Sequence, residues 1–148
     1  MKYLLFLFAF PFFFACKTTK DAITKKDQKS NEMTEITAKL GDIATFSDPI
    51  EIIEAKIEGN YLLLKVGYGG GCEEHTFEMI GSSEIAKSMP PIRSIKLIHK
   101  ANNDMCKAYI YKDLKINISE LSDRKIDSST IILKGEQFKE KMNYTYIK

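Results

Sequence analysis

From Glu51 onward, apolar and polar residues alternate in short runs separated by turn residues, and this period of two narrows the possible folds more than any other feature of the chain. Successive side chains of a strand point to opposite faces, so runs of this kind bury one face against a second layer. Glu51–Glu58 and Tyr61–Tyr68 flank Gly59-Asn60, a two-residue turn suited to positive φ. Pairing through that turn sets Ile57 against Leu62, Ala55 against Leu64 and Ile53 against Val66, with all six on one face. A one-residue slip would scatter them. Gly67–Gly71 ends the strand, and Glu74–Ile80 begins another, with His75, Phe77 and Met79 facing one way. Gly81–Pro91 reads as a connection with a helical turn over Ser83–Ser88, stopped by Pro90-Pro91. Arg93–His99 and Cys106–Lys112 form a second predicted hairpin around Asn102-Asn103, which opposes Leu97 to Ala108, Ile95 to Ile110 and His99 to Cys106. Leu114, Ile116 and Ile118 alternate with polar residues in a half-buried strand, and Thr130–Lys134 and Met142–Ile147 supply two more. The expected fold is all-β and mainly antiparallel: a small β-sandwich or partly open barrel of about seven strands. It occupies one domain over 41–148, with no internal repeat.

The start of the chain is different. Behind Lys2, Tyr3–Phe14 is apolar except for the break at Pro11. At about a dozen residues it is too short for a membrane span, which needs about 20, and it reads as a targeting segment. Phe13-Phe14-Ala15-Cys16 resembles the lipobox of bacterial lipoproteins, with Phe13 and Phe14 where the pattern usually has leucine and a small residue. The resemblance implies a signal peptide over 1–15 and a diacylglycerol thioether on Cys16, which anchors the protein in the membrane of the bacterial cell envelope. Some bacterial groups mark surface lipoproteins with an acidic cluster after the lipidated cysteine. Lys17-Thr18-Thr19-Lys20 is not one, which favours an outer-membrane anchor facing the periplasm. Residues 16–40 then read as the lipidated cysteine and a flexible polar tether, with at most a weak helical turn over Thr34–Leu40.

The chain has three cysteines, an odd count for an exported protein. If Cys16 carries lipid, Cys72 and Cys106 remain as a pair, and an oxidising compartment lets them form a disulfide. With the predicted hairpin register, Cys72, His75, His99 and Cys106 share one neighbourhood. One reading is a disulfide that staples the glycine-rich loop to the second hairpin, with structural histidines; closing such a loop contributes roughly 3–4 kcal/mol. Another is a zinc or copper site built from these four residues. A third is a redox-active cysteine, which Glu73 and Glu74 beside Cys72 disfavour because negative charge opposes the thiolate. The disulfide is the favoured reading, with no metal and no cofactor beyond the lipid on Cys16.

Other chemistries find little support. The glycine run lacks the Lys-Ser/Thr of a phosphate loop and precedes no helix. Glu73 and Glu74 are adjacent in an extended segment and point apart, as solvated carboxylates do. No Gly-x-Ser-x-Gly elbow is present, and no spacing connects Ser82 or Ser83 to a histidine. Tyr109, Tyr111, Tyr144 and Tyr146 alternate within strands as sheet-covering residues or a binding surface. A net charge of +2 with scattered lysines and no reading motif gives no support for nucleic acid. The segments Gly70–Phe77 and His99–Cys106 resemble those of small uncharacterised lipoproteins of Bacteroidota, a likeness covering about Ile53–Leu121 that implies export and a β domain but no activity. The resulting expectation is a lipid-anchored, non-enzymatic binding or structural domain, with a metal-binding lipoprotein as the alternative.

Overall fold

The structure, a computed structural model, describes residues 33–122 and 130–148. The expected signal peptide, Cys16 and most of the expected tether lie outside the described residues. Among the described residues nine strands run in order: β1 (Thr34–Thr37), β2 (Lys39–Gly41), β3 (Glu51–Glu58), β4 (Tyr61–Gly70), β5 (Thr76–Ala86), β6 (Ile92–Lys100), β7 (Ala108–Asn117), β8 (Thr130–Lys134) and β9 (Met142–Thr145). One 3-10 turn, Ser119–Leu121, follows β7. The strands form two mixed sheets, ordered β1-β7-β4-β3 and β2-β5-β6-β8-β9. β1/β7, β2/β5 and β6/β8 pair parallel, and the other four pairings are antiparallel.

The alternating pattern explains the layers. Leu62, Leu64 and Val66 of β4 and Leu114 and Ile116 of β7 face inward from the first sheet. They meet Met79, Ile95, Leu97, Ile131 and Leu133 of the second, all nearly or fully buried. Each such side chain contributes about 1.5–3 kcal/mol on leaving water. Tyr144 is fully buried as well and donates its hydroxyl hydrogen to Asn60 Oδ1 at 3.1 Å.

Four sequence expectations are corrected. The tether read over 16–40 ends earlier, because β1 and β2 lie in it. Ile36 packs on the core and Ala38 is buried where the chain passes from one sheet to the other. β1 and β2 are four and three residues long and rest on parallel neighbours, so the brief alternation of Ile36, Ala38 and Leu40 with Thr37 and Lys39 is a weak signal beside the polar run before it. In the first hairpin, Ile57/Leu62 and Ala55/Leu64 pair as expected, but a bulge at Ile53 sets Ile52, not Ile53, against Val66. The helical turn over Ser83–Ser88 is instead the end of β5, where a second irregularity lets Ile85 pair with Arg93.

The fourth correction has the largest effect. Arg93–His99 and Cys106–Lys112 are not a hairpin: β6 lies in the second sheet, while Ala108–Lys112 is continuous with Leu114–Asn117 as β7 of the first. Asn102 and Asn103 do adopt positive φ, 52° and 59°, but their turn carries the chain across the sandwich. Both strands bury their apolar face in the same interior from opposite layers. Matching apolar partners therefore fits a crossing as well as a hairpin.

Candidate functional site

The two crossings at one end of the sandwich, β4 to β5 through 71–75 and β6 to β7 through 101–107, meet there. Cys72 and Cys106 join them, with Sγ atoms 1.95 Å apart and Cα atoms 6.0 Å apart. Asn102 Nδ2 adds a bond to the carbonyl of Glu74 at 2.5 Å.

Between the loops sits Asp104. Its Oδ2 accepts the backbone N–H groups of Gly71, Cys72 and Glu73 at 2.7, 2.8 and 2.9 Å, and its Oδ1 accepts that of Cys106 at 2.8 Å. Three successive amides converging on one oxygen form an anion nest, filled here by the chain's own carboxylate. The nest depends on Gly70 and Gly71, at φ +144° and +120°. A Cβ on Gly70 would lie 2.5 Å from His75 Nε2 and 2.8 Å from Asp104 Oδ2, so glycine is required there.

Asp104 also begins a chain of side chains leading inward. His75 Nε2 lies 3.1 Å from Asp104 Oδ2, His75 Nδ1 lies 2.7 Å from His99 Nε2, and His99 Nδ1 lies 3.0 Å from the carbonyl of Pro49. The side chains of His75 and Asp104 are 3% and 0% exposed, and His99 is 1% exposed. The proton positions follow from the partners. A carbonyl only accepts, so His99 Nδ1 carries hydrogen, and neutral His99 accepts at Nε2. His75 Nδ1 meets that nitrogen across 2.7 Å, and a hydrogen on His75 Nε2 satisfies the Asp104 carboxylate.

The surroundings support those assignments. Burial, joined by the neighbouring His75, pushes His99 below the ordinary histidine value against the opposing pull of the Pro49 carbonyl and Asp48. The N–H of Glu73 first, then those of Cys106 and Cys72 together with His75, hold the Asp104 carboxyl well below the usual carboxylate range. Tyr68 packs on both histidines, with centroids 4.7 and 4.9 Å away, and Phe77 stacks on His99 at 5.2 Å. Burial raises the Tyr68 hydroxyl above its ordinary value.

Of the residues singled out in the sequence, the structure joins Cys72 to Cys106 and His75 to His99, but does not place His99 beside Cys106. The group with metal-ligand spacing among the described residues is Cys72, Asp104 and Cys106, whose ligand atoms lie within 4.8 Å of one another. It contains neither histidine, and its two sulfurs are bonded to each other. Glu73 and Glu74 are exposed and contribute backbone, not carboxylate, to the site. Ser82 Oγ accepts the N–H of Glu84, and neither Ser82 nor Ser83 meets a histidine among the described residues.

Asp104 is the site residue that sequence reasoning missed. The turn-forming run Asn102-Asn103-Asp104 is the local signal, since Asp104 makes an Asx turn with the N–H of Cys106, but nothing in the spacing points to the amides of Gly71, Cys72 and Glu73. On the outer face of the first sheet, the ring of Tyr109 lies over Gly67 and its hydroxyl donates to Glu51 Oε2 at 2.8 Å. Tyr111 meets Tyr109 edge-on at 5.2 Å, and the two rings stay 52% and 64% exposed.

Residues 24–148 match the family model of the NigD-like C-terminal beta sandwich domain. A solved NigD-like immunity protein from Bacteroides caccae is similar over 70% of this chain and 52% of its own, at 18% identity and a TM-score of 0.55. A putative toxin-related protein from Parabacteroides distasonis is similar over 77% of this chain and 60% of its own, at 22% identity and a TM-score of 0.48. The chain thus spans about half to three-fifths of the length of these structures. No curated protein matches the chain.

Proposed function

We propose, on the premise that this chain belongs to the NigD-like C-terminal beta sandwich domain family, that it is an exported, lipid-anchored envelope protein which acts by binding a protein partner rather than by catalysis. The partner class we favour is an antagonistic protein toxin, since the Bacteroides caccae neighbour is a NigD-like immunity protein. Cys16 is the proposed lipid site and the envelope the proposed location, facing the periplasm. Support for these comes from the lipobox-like Phe13–Cys16 and from the three-cysteine count that leaves Cys72 and Cys106 to each other.

The observation that carries the binding reading is the closure of the polar centre. Asp104, His75 and His99 resemble a proton relay, yet each ring nitrogen and both carboxylate oxygens are bonded internally, and the relay ends on a backbone carbonyl instead of a nucleophile. Such a centre fixes loops. The test is a co-culture with a toxin-producing relative of the host. Cells lacking the protein should lose viability at least about tenfold faster, and the intact chain should restore them. Equal survival of both strains would remove the immunity role. A hydrolase or redox activity abolished by His75→Gln with the fold intact would overturn the non-enzymatic reading.

A further inference from the structure

Among the described residues, one long side of the sandwich is only half closed. β1 pairs parallel with β7 over Leu114–Asn117, the chain crosses at buried Ala38, and β2 pairs parallel with β5 over Ile80–Ser82. Beyond that closure, Ala108–Asp113 of β7 pair with β4 on one side, and among the described residues no strand pairs on the other. Thr76–Met79 of β5 likewise pair with β6 alone. An edge of unpaired N–H and C=O groups is a template for a further strand. Between the two edges lie Phe77, Ile110 and Lys112. Lys112 alternates with Leu114 and Ile116 and so points inward, its ammonium 5.3 Å from the Phe77 ring centroid. Among the described residues it meets no carboxylate. Tyr109 and Tyr111 flank the same stretch on the outer face.

We propose that the open edge of β7 from Ala108 to Asp113 docks an extended strand of a protein partner, apolar where it faces Ile110 and Phe77 and acidic where it faces Lys112. The inference rests on the protein-binding reading above and gives the partner's contacting segment a form. The site directly continues the β1/β7 pairing, so the neighbouring strand already shows how an added one would lie. Lys112 supplies the charge such a strand would complement. The chain's own residues just before β1, Gln28–Glu32, fit less well, with one carboxylate and no apolar side chain to set against Ile110 and Phe77. A second copy, edge to edge, would bring two sets of Lys107 and Lys112 together.

Hydrogen exchange on the purified, disulfide-bonded full chain tests this with two synthetic peptides of about ten residues, a typical strand's upper length. Both alternate Val and Thr; one carries a Glu at a central Val position, the other a Lys there. The Glu peptide should slow exchange at alternate amides of Ala108–Asp113 by at least about tenfold, the Lys peptide should not, and Lys112→Glu should reverse that preference. Failure of both peptides, or equal slowing by both, overturns the proposal. So does slowing that is present without peptide, whether it disappears on deletion of residues 17–32 or grows with protein concentration. Toxin protection that survives Lys112→Glu after Glu-peptide binding is lost keeps the protein-binding role and overturns this edge as its site.

Discussion

Replacing Cys72 or Cys106 with serine should cost a large share of the stability this small domain has. The bond spans a sequence separation of 34, and the chain-entropy relation for a loop of that size gives about 3.8 kcal/mol at 25 °C. A domain of roughly 115 residues gains about 0.24 kcal/mol per degree in unfolding entropy, so the melting midpoint should fall by about 16 °C. Because both changes remove one bond, Cys72→Ser, Cys106→Ser and the double variant should lose nearly the same amount. Urea titrations of the three variants, with the wild type under reducing conditions as a fourth curve, give the comparison directly. Single losses that add in the double variant would refute the pairing. Losses below about 1 kcal/mol would show that the loops are held without the bond.

Asp104→Asn should break the nest: amides of Gly71, Cys72 and Glu73 should exchange at least about tenfold faster, measured in the oxidised protein, while those of β4 and β7 keep their rates. The domain should weaken in two acid steps. Folded His99 takes its proton less readily than the unfolded chain, so its contribution is complete above about pH 6.5 and declines below it; Asp104 likewise contributes fully above about pH 4 and loses that contribution below. Urea midpoints that rise between neutral pH and about pH 5 would contradict the first step. Cys16→Ala should move the protein from the membrane to the soluble fraction, scored by fractionation and by incorporation of labelled fatty acid.

The sequence was most legible where one rule determined the outcome. The β3/β4 hairpin followed from Gly59-Asn60 and the apolar matches across it, and β8 from its short apolar run between Thr130 and Lys134. It was least legible where neighbours decide. β1 and β2 are strands because β7 and β5 lie beside them, and the bulge at Ile53 reflects how the edge strand curves. The link between β6 and β7 misled for a sharper reason: alternation reports which face is buried, not which sheet owns the strand. That error placed His99 beside Cys106. His75, His99 and the two cysteines do gather at one end of the sandwich, but through Asp104, whose role depends on positive φ at Gly70 and Gly71 and could not be read from spacing alone.

The central claim is that Asp104, His75 and His99 form a closed, internally bonded centre. Nitrogen-15 spectra of the two imidazole rings at neutral pH test it most directly. The account predicts slowly exchanging hydrogens on His75 Nε2 and on His99 Nδ1. Hydrogens there that exchange at the rate of free imidazole, or a bare nitrogen at either position, would contradict it.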